Sequence, residues 1–292
     1  QCAAFPPPSD EPPSDEPPQI SFIIGHRGQA RLPQLLVTLG SLAAQRRVRI
    51  EAIVVEQSAT PEISQALPAW VSYVHTRLPH PAMPYCRAWA FNVGGRMARA
   101  PILCLHDNDL PIPEDYALAH LGYFSRGYQV VNLKRFIFYL DPPTSDALFA
   151  PCTPGAVGAE DGGIWGHDHC RMVAPEKILQ NALGGGSLVI EKAAYLDIGG
   201  FDESFVGWGG EDNELWERVS TLRLYPYGYL PMLHLWHPAQ PDKGQDSGRG
   251  RLTSVQFDAR MALPVAQRID ELRARAFGDP HSPTPVWTPP AA

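Results

Sequence analysis

Apolar and polar positions along the chain fall into two alternating patterns. Short continuous apolar runs are typical of strands buried on both faces of a parallel sheet. Longer stretches with apolar residues every three or four positions are typical of helices packed on such a sheet. The predicted strands cover 20–24, 50–55 and 102–105, and the predicted helices cover 32–45, 87–98 and 211–219. This alternation predicts βαβ units, and therefore a single-domain α/β fold with a mostly parallel central sheet flanked by helices.

The two ends of the chain lack both patterns. Residues 1–18 consist mainly of Pro, Ser, Asp and Glu, and are expected to form a disordered leader because they have almost no apolar side chains to bury. Residues 279–292 are again rich in Pro and are expected to form a tail, which gives one domain over 19–278. Within it, the stretch from Tyr139 to Gly166 is rich in Pro and Gly and lacks periodicity, which favours a mobile lid or an acceptor loop.

Composition excludes two classes of partner. The 292 residues carry a formal net charge of −7 with a pI of about 5.8, and no basic patch is visible, so nucleic-acid binding is not expected. No run of eighteen apolar residues occurs, so we expect no membrane span. The five cysteines are interpreted as mostly reduced, since Cys104 falls in an apolar strand, and we expect a cytoplasmic protein.

Polar residues stand at the ends of the three predicted strands. They are His26-Arg27, Glu56-Gln57 and Asp107-Asn108-Asp109. Ligands of open α/β sheets bind at the carboxyl ends of strands, so we expect these groups to converge. Asp107 and Asp109 would point to the same side of an extended backbone, where paired carboxylates suit Mg²⁺ or Mn²⁺. The alternative is a polar turn that closes the strand, because Asp and Asn are common in turns.

Two histidines form a second candidate for metal binding. His234 and His237 are three positions apart, close enough to reach one ion, and imidazole is a good ligand for Mn²⁺ or Zn²⁺. A histidine taken singly is more often structural. The presence of an Asp-x-Asp sequence in the same chain favours the metal site.

The segment from Phe205 to Glu214 combines an aromatic ring, a glycine pair and carboxylates. Gly209 and Gly210 allow backbone angles that other residues avoid and leave room for a ligand. The helix predicted from Glu211 begins with acidic residues, and its dipole favours an ionised carboxylate there. An aromatic platform beside such a base suits a sugar-handling site. The alternative is a well-capped helix after a Gly-rich loop.

These motifs together resemble those of the GT-A fold glycosyltransferases. The similarity is closest to the catalytic domain of the β-1,4-galactosyltransferases and their bacterial relatives, and it runs from about Ile20 to about Ala262. The matching residues, in order, are Arg27, Tyr85-Cys86-Arg87-Ala88, Asn92-Val93-Gly94, Asp107-Asn108-Asp109-Leu110, Gly185-Gly186, Ile198-Gly199-Gly200-Phe201, Gly207-Trp208-Gly209-Gly210-Glu211-Asp212 and His237. The segment from Gly207 to Asp212 is highly specific for this family.

The resemblance implies a role for each matching residue. Asp109 and His237 would hold Mn²⁺, and His234 would join them where the family usually has a methionine. Asp212 would be the catalytic base, while Glu211 would bind sugar hydroxyls. The expected nucleotide contacts are Gly25, His26, Arg27, Glu56, Tyr85, Arg87, Asp107 and Asn108, although the family has Pro and Phe where this chain has Gly25 and His26. The expected substrate contacts are Trp208, Gly209, Gly210, Glu211, Leu183 and Gly186.

The predicted activity is inverting transfer of a hexose or N-acetylhexosamine, with galactose or N-acetylgalactosamine favoured. The donor would be a UDP-sugar bound with Mn²⁺, or with Mg²⁺ or another divalent ion in its place. The acceptor hydroxyl could belong to a saccharide, a peptide or a small molecule. Leu183 stands where galactose-specific members have Tyr, and so favours an acetamido sugar. Three alternatives remain: a retaining polypeptide N-acetylgalactosaminyltransferase-like enzyme, a metal-dependent nucleotidyltransferase, and a non-catalytic module that binds sugar nucleotides or glycans.

Overall fold

A computed structural model describes residues 16–149, 178–180, 185–238 and 248–289. The strands are β1 (Ile20–His26), β2 (Ile50–Ser58), β3 (Ser72–Arg77), β4 (Ile102–His106), β5 (Val130–Val131), β6 (Lys134–Tyr139), β7 (Ile178–Gln180), β8 (Ser187–Glu191), β9 (Leu224–Tyr225) and β10 (Leu230–His234). The helices are α1 (Leu32–Ala43), α2 (Arg87–Met97), α3 (Tyr116–Phe124), α4 (Pro142–Phe149), α5 (Lys192–Asp197), α6 (Glu211–Val219), α7 (Gly248–Met261) and α8 (Val265–Ala274). Among these helices, none is both long enough and apolar enough to cross a membrane.

The central sheet has seven strands in the order β3-β2-β1-β4-β8-β5-β9. Strand β8 is antiparallel to both of its neighbours, and the other pairings in the sheet are parallel. The predicted α/β fold with a mostly parallel sheet is confirmed. The antiparallel strand was not predicted, because a short strand with three apolar residues has the same pattern in either direction.

Strand β1 lies in the interior of the sheet, between β2 and β4, and is buried along its whole length. Its alternate residues pack on opposite faces, as the two-residue period of a strand requires. Ile23 belongs to the core under α2, whereas Phe22 and Ile24 belong to the core that contains Leu35 of α1. A strand covered by a helix on each face needs apolar residues at every position, which explains the continuous run in the sequence.

A smaller sheet extends one side of the domain. Its strands are ordered β10-β6-β7, with β10 parallel to β6 and β6 antiparallel to β7. The register places His234 directly opposite Tyr139, at the ends of β10 and β6. This second sheet therefore delivers side chains to the same region as the carboxyl ends of β1 and β4.

Part of the predicted lid is regular structure. Helix α4 occupies 142–149, and the rest of the predicted lid beyond it lies outside the described residues. The Asp141 carboxylate accepts a hydrogen bond from the Thr144 backbone at 2.8 Å, and Pro142 stands in the first turn. An acidic residue before Pro is a signal for the start of a helix. The signal was not recognised in the sequence because the surrounding stretch is rich in Pro.

The described part of the C-terminal segment is fastened to α2 and to the buried Glu203. The hydrogen bonds are Trp89 Nε1 to Asp279 O (2.6 Å), Arg96 Nε to Phe277 O (2.5 Å), Asn92 Nδ2 to Glu203 Oε1 (2.8 Å), Gly278 N to Glu203 Oε1 (2.7 Å) and Thr284 N to Glu203 Oε2 (2.6 Å). At the other end, residues 1–15 of the predicted leader lie outside the described part, and Glu16 pairs with Arg49 at 2.9 Å.

Candidate active site

A cavity of about 720 Å³ opens at the carboxyl ends of β1 and β4. It brings together most of the predicted site residues, which come from strand ends, from α2, from the start of α6 and from the end of β10. The predicted residues that line it are Gly25, His26, Arg27, Tyr85, Arg87, Asp107, Asn108, Asp109, Gly186, Trp208, Glu211, Asp212, His234 and His237. The position matches the expectation that ligands of open α/β sheets bind beyond the strand ends.

Asp109, His234 and His237 form a cluster with the geometry of a metal site. One potential ligand atom from each lies within 4.8 Å of the others. His237 Nε2 is 3.2 Å from Asp109 Oδ2, and His234 Nε2 is 3.7 Å from Asp109 Oδ1. These short carboxylate-to-imidazole separations leave the three side chains facing one common point.

The hydrogen bonds around this cluster fit a bound cation. His237 Nδ1 donates to the Pro238 carbonyl at 2.7 Å, which leaves the Nε2 lone pair facing Asp109. Asp109 Oδ1 is buried and makes no hydrogen bond with any described residue. Buried polar atoms without partners are rare in folded proteins, so a metal ion would satisfy an oxygen that the described residues do not.

Electrostatics also prepares Asp109 to bind a cation. Burial alone would raise the pKa of its carboxyl, but without a bound cation the protonated rings of His234 and His237, together with the Arg31 guanidinium, outweigh burial and hold this pKa well below its usual value. The carboxylate is therefore ionised throughout the physiological range. Tyr139 stacks on the His234 ring at 4.2 Å between centroids and restrains its orientation.

The other carboxylate of the Asp-x-Asp sequence faces a different partner. Strand β4 ends at His106, so residues 107–109 form a turn and the alternation assumed for an extended backbone does not apply. Asp107 Oδ1 accepts a hydrogen bond from Arg87 Nε at 2.8 Å. Burial, together with nearby Asp109 and Asp212, raises the pKa of Asp107 to about 6 despite this partner.

The start of α6 supplies two adjacent carboxylates. Gly209 and Gly210 have φ values of 101° and 91°, the left-handed region expected for glycine, and they turn the chain into the helix. Burial and the neighbouring Asp212 raise the pKa of Glu211 to about 7, and Glu211 Oε2 has no hydrogen-bond partner among the described residues. Trp208 stands beside them with 47% of its surface exposed, as a platform for a ligand would.

Arg87 connects the two halves of the site. Its guanidinium is in direct contact with Asp212 Oδ1, bonds Asp107, and lies 3.7 Å from Glu211 Oε1. The same group packs over the Phe91 ring, 4.5 Å from the centroid. Arg87 was predicted as a nucleotide contact, and in the structure it is held between the carboxylates on the two sides of the cavity.

The predicted nucleotide side is built on close backbone packing. A Cβ atom at Gly25 would overlap the Tyr85 hydroxyl, so only glycine fits there. Arg27 donates to the backbone carbonyls of Gln57 and Met83, at 2.9 and 3.0 Å. His26 lies at the cavity wall but is 1% exposed. These groups shape one end of the cavity.

Three of the described predicted site residues do not line the cavity, and a fourth predicted residue, Leu183, lies outside the described residues. Gly209 and Gly210 act through the backbone turn and are not in the wall. Glu56 is fully buried away from the cavity, and its carboxylate accepts hydrogen bonds from Ser58 Oγ (2.8 Å), Glu62 N (3.0 Å) and Tyr73 Oη (2.5 Å).

Three residues near the site were not anticipated from the sequence. Arg31 approaches Asp109 Oδ2 at 3.4 Å, and Tyr139 stacks on His234. Lys134 is buried and donates to the carbonyls of Gly185 (2.5 Å) and Ser187 (3.2 Å). Tyr139 ends a strand, as the predicted contacts do, and this signal could have identified it. Arg31 and Lys134 carry no such signal.

Sequence comparisons connect this site with known glycosyltransferases. Residues 172–227 match the family described as the N-terminal domain of galactosyltransferase. Human chondroitin sulfate synthase 3 is 29% identical over 147 residues, which is 50% of this chain but only 15% of that protein. The chain thus spans a small part of the curated relatives that it matches. The predicted resemblance to galactosyltransferases is confirmed by the family match.

Solved structures show the same fold. Glucosyl-3-phosphoglycerate synthase from Mycobacterium tuberculosis, in complex with Mn²⁺, UDP and glucosyl-3-phosphoglycerate, aligns with a TM-score of 0.51 and 14% identity over 85% of this chain and 81% of that one. A mannosyltransferase from Pyrobaculum calidifontis, in complex with GDP-Man and Mn²⁺, aligns with a TM-score of 0.50 and 16% identity over 92% and 72%. The predicted GT-A fold is therefore confirmed.

Proposed function

We propose that the protein is a metal-dependent inverting glycosyltransferase that moves a hexose or N-acetylhexosamine from a UDP-sugar to an acceptor hydroxyl. The observation that carries this proposal is the arrangement of one cavity. The cluster of Asp109, His234 and His237 lines the same cavity as Asp212 and Trp208. A cation site and a carboxylate base in one cavity are what transfer from a sugar diphosphate requires.

Asp109, His234 and His237 are the residues that would hold Mn²⁺. Two imidazoles and one carboxylate favour Mn²⁺ or a later transition metal over Ca²⁺ or Mg²⁺. When bound, the ion supplies positive charge that neutralises a leaving diphosphate. The structures of similar fold that were solved with Mn²⁺ and a nucleotide support this choice of ion for the chain.

Asp212 is the proposed base. Arg87 contacts Oδ1 of its carboxylate. The other oxygen, Oδ2, faces Gly185, and a Cβ atom added at Gly185 would lie only 3.2 Å from Oδ2. The absence of a side chain at Gly185 leaves space for an acceptor hydroxyl beside Oδ2. Removal of the hydroxyl proton by a positioned base contributes a factor of roughly 10²–10⁴ to the rate.

Inversion follows from a single displacement at the anomeric carbon. The acceptor oxygen forms its bond as the bond to the diphosphate breaks, the proton passes to Asp212, and UDP leaves. Alignment of both substrates in one cavity supplies much of the remaining acceleration, since well-oriented groups reach effective molarities of roughly 10⁵–10⁸ M. No covalent enzyme intermediate is needed.

Galactose and N-acetylgalactosamine are the favoured donor sugars. The match of residues 172–227 to a galactosyltransferase domain supports this choice. Leu183 lies within the matched segment and is the residue proposed to face the C2 substituent of the sugar. The acceptor could be a saccharide, a peptide or a small molecule.

A donor screen tests the proposal. The full chain is incubated with each UDP-sugar, Mn²⁺ and a panel of acceptors, and released UDP is measured alongside a reaction with Asp212→Asn. We expect UDP release with a galactose or N-acetylgalactosamine donor, and a product of inverted anomeric configuration by NMR. Absence of turnover with every donor would refute the activity, and a product of retained configuration would favour the polypeptide N-acetylgalactosaminyltransferase-like alternative.

A further inference from the structure

The turn that carries Asp109 is fastened at every residue. Its backbone is held by groups from three neighbouring elements and by His106 at the end of its own strand, and none of these groups is one of the three proposed metal ligands. The hydrogen bonds are Asp107 N to Gly186 O (2.8 Å), Thr38 Oγ1 to Asn108 O (3.1 Å), Leu235 N to Asp109 O (2.9 Å) and the contact between His106 Nε2 and Leu110 O (2.7 Å). Of these, the bond from His106 closes the turn upon itself, because it joins the residue before the turn to its last residue.

Both ring nitrogens of His106 have partners, and the partners determine which nitrogen carries the proton. The Leu110 carbonyl can only accept a hydrogen bond, so Nε2 must donate. Nδ1 is then an acceptor, and it receives the Ser187 hydroxyl proton at 2.8 Å. Ser187 Oγ in turn accepts from the Tyr116 hydroxyl at 2.8 Å. The three side chains therefore form a chain of hydrogen bonds with one direction, which ends at Leu110.

The surroundings keep this arrangement neutral and rigid. His106 is fully buried, and Phe22 packs edge-on against its ring at 5.9 Å between centroids. Burial lowers the pKa of His106 to about 4, so the ring stays neutral near pH 7 and keeps one donor and one acceptor. A neutral ring with both nitrogens engaged has a single orientation in which all of its hydrogen bonds are made.

A second buried histidine holds the same turn. His26 Nε2 donates to the Gly28 carbonyl at 2.7 Å, which leaves Nδ1 to accept from the Asn108 amide at 2.9 Å. His26 ends β1 and His106 ends β4, and these strands are adjacent in the sheet. Two buried imidazoles from neighbouring strands therefore hold the turn.

We propose that His106 is a positioning residue for the metal site: by holding the Leu110 carbonyl, it fixes Asp109 opposite His234 and His237 before any cation binds. This inference rests on the proposed function, in which those three residues hold a divalent cation. Groups that orient metal ligands from behind are typically worth 10–100-fold in metal affinity. His106 does not touch the cluster itself, so its effect must pass through the turn.

Two substitutions of His106 distinguish the loss of the Nε2 hydrogen bond from the loss of the whole ring. His106→Asn places an amide near Nδ1, where it can still bond Ser187, but it cannot reach Leu110. His106→Gln places an amide nitrogen near Nε2, where it can donate to Leu110. His120→Asn is the matched control, because His120 is an equally buried histidine with its pKa also lowered by burial to about 4. Among the described residues, its hydrogen bond goes to the Tyr116 backbone carbonyl of its own helix and none goes to the turn.

Binding of Mn²⁺ alone to the full-length chain is measured by electron paramagnetic resonance or calorimetry, with the melting temperature of each variant. We expect His106→Asn to weaken Mn²⁺ binding by at least tenfold, while His106→Gln and the His120→Asn control stay within about threefold of the wild type. A loss of less than tenfold in folded His106→Asn, a Gln variant as weak as the Asn variant, or an equal loss in the control would overturn the inference.

Ser187→Ala keeps the test decisive if His106→Asn does not fold. It removes only the hydroxyl that orients the ring, and we expect weaker Mn²⁺ binding; unchanged affinity would overturn the inference. A wild-type chain that binds no Mn²⁺ would instead refute the metal site of the proposed function. The two failures are therefore distinguishable.

Discussion

Replacing Asp212 with Asn should nearly abolish transfer and leave the fold in place. The amide oxygen can still accept the hydrogen bond from Arg87, but it cannot take up a proton from an acceptor hydroxyl. Arg87 also keeps its 2.8 Å bond to Asp107, so no buried charge is left without a partner. The substitution therefore removes the proposed chemistry with little change in packing.

The expected loss follows from the role of the base. General-base assistance is worth roughly 10²–10⁴ in rate, and each factor of ten corresponds to about 1.36 kcal/mol of activation free energy. The variant should thus lose about 3–5 kcal/mol of transition-state stabilisation. Its affinity for UDP with Mn²⁺ should be nearly unchanged, because Asp212 is not among the three proposed metal ligands.

The assay compares kcat for UDP-sugar turnover with UDP affinity and melting temperature in the same variants. Glu217→Gln is the matched control: it removes one negative charge from the same helix, at a side chain that is 51% exposed and 3.7 Å from Arg268. We expect full activity from this control. Turnover by Asp212→Asn above about a tenth of the wild-type rate would show that Asp212 is not the base.

Three further predictions concern metal, pH and donor. Asp109→Ala and His237→Ala should each weaken Mn²⁺ binding strongly, and EDTA should abolish turnover; full activity in EDTA would refute the metal assignment. Burial and Asp212 raise the pKa of Glu211 to about 7, against 4.5 for an ordinary Glu. Between these two pH values the folded chain keeps a proton that the unfolded chain loses. The free energy of unfolding therefore falls as the pH rises from about 4.5 to about 7. Glu211→Gln should lack this contribution, which is worth up to about 3 kcal/mol. The free energy of unfolding is measured for both proteins by urea titration in EDTA at pH 4 to 7.5. If it depends on pH in the same way for the wild type and the variant, the raised pKa of Glu211 is contradicted. Leu183→Tyr should shift the ratio of kcat/KM for UDP-N-acetylgalactosamine and UDP-galactose toward galactose, by roughly 10–200-fold if the side chain faces the sugar, and an unchanged ratio would show that it does not.

The sequence predicted those parts of the molecule that depend on local pattern. Helix α6 begins at Glu211 and ends at Val219, as its apolar spacing and acidic first turn indicated. Strand β1 was predicted from its continuous apolar run, although it continues through Gly25 to His26. In both cases a repeating pattern within one element contains the necessary information.

Contacts between elements were harder to predict. Asp107 and Asp109 are two positions apart, yet a turn sends one toward Arg87 and the other toward the histidines. Glu56 was expected at the end of a strand, but β2 continues to Ser58, and Tyr73 on the neighbouring strand satisfies the Glu56 carboxylate inside the protein. Spacing along a chain specifies which side chains are near one another only while the backbone remains regular.

The anchoring of the C-terminal segment on α2 has a consequence for how activity can be altered at a distance. Trp89 and Arg96 of that helix bond the segment, and Asn92 bonds the same glutamate that the segment does, while Arg87 at the start of the helix contacts the carboxylates of Asp107 and Asp212. We therefore expect substitutions in residues 277–284 to change the rate through the position of this helix. In a directed-evolution experiment, beneficial substitutions should accumulate in this segment as well as around the cavity. Their effects on the rate should depend on which residue occupies position 87.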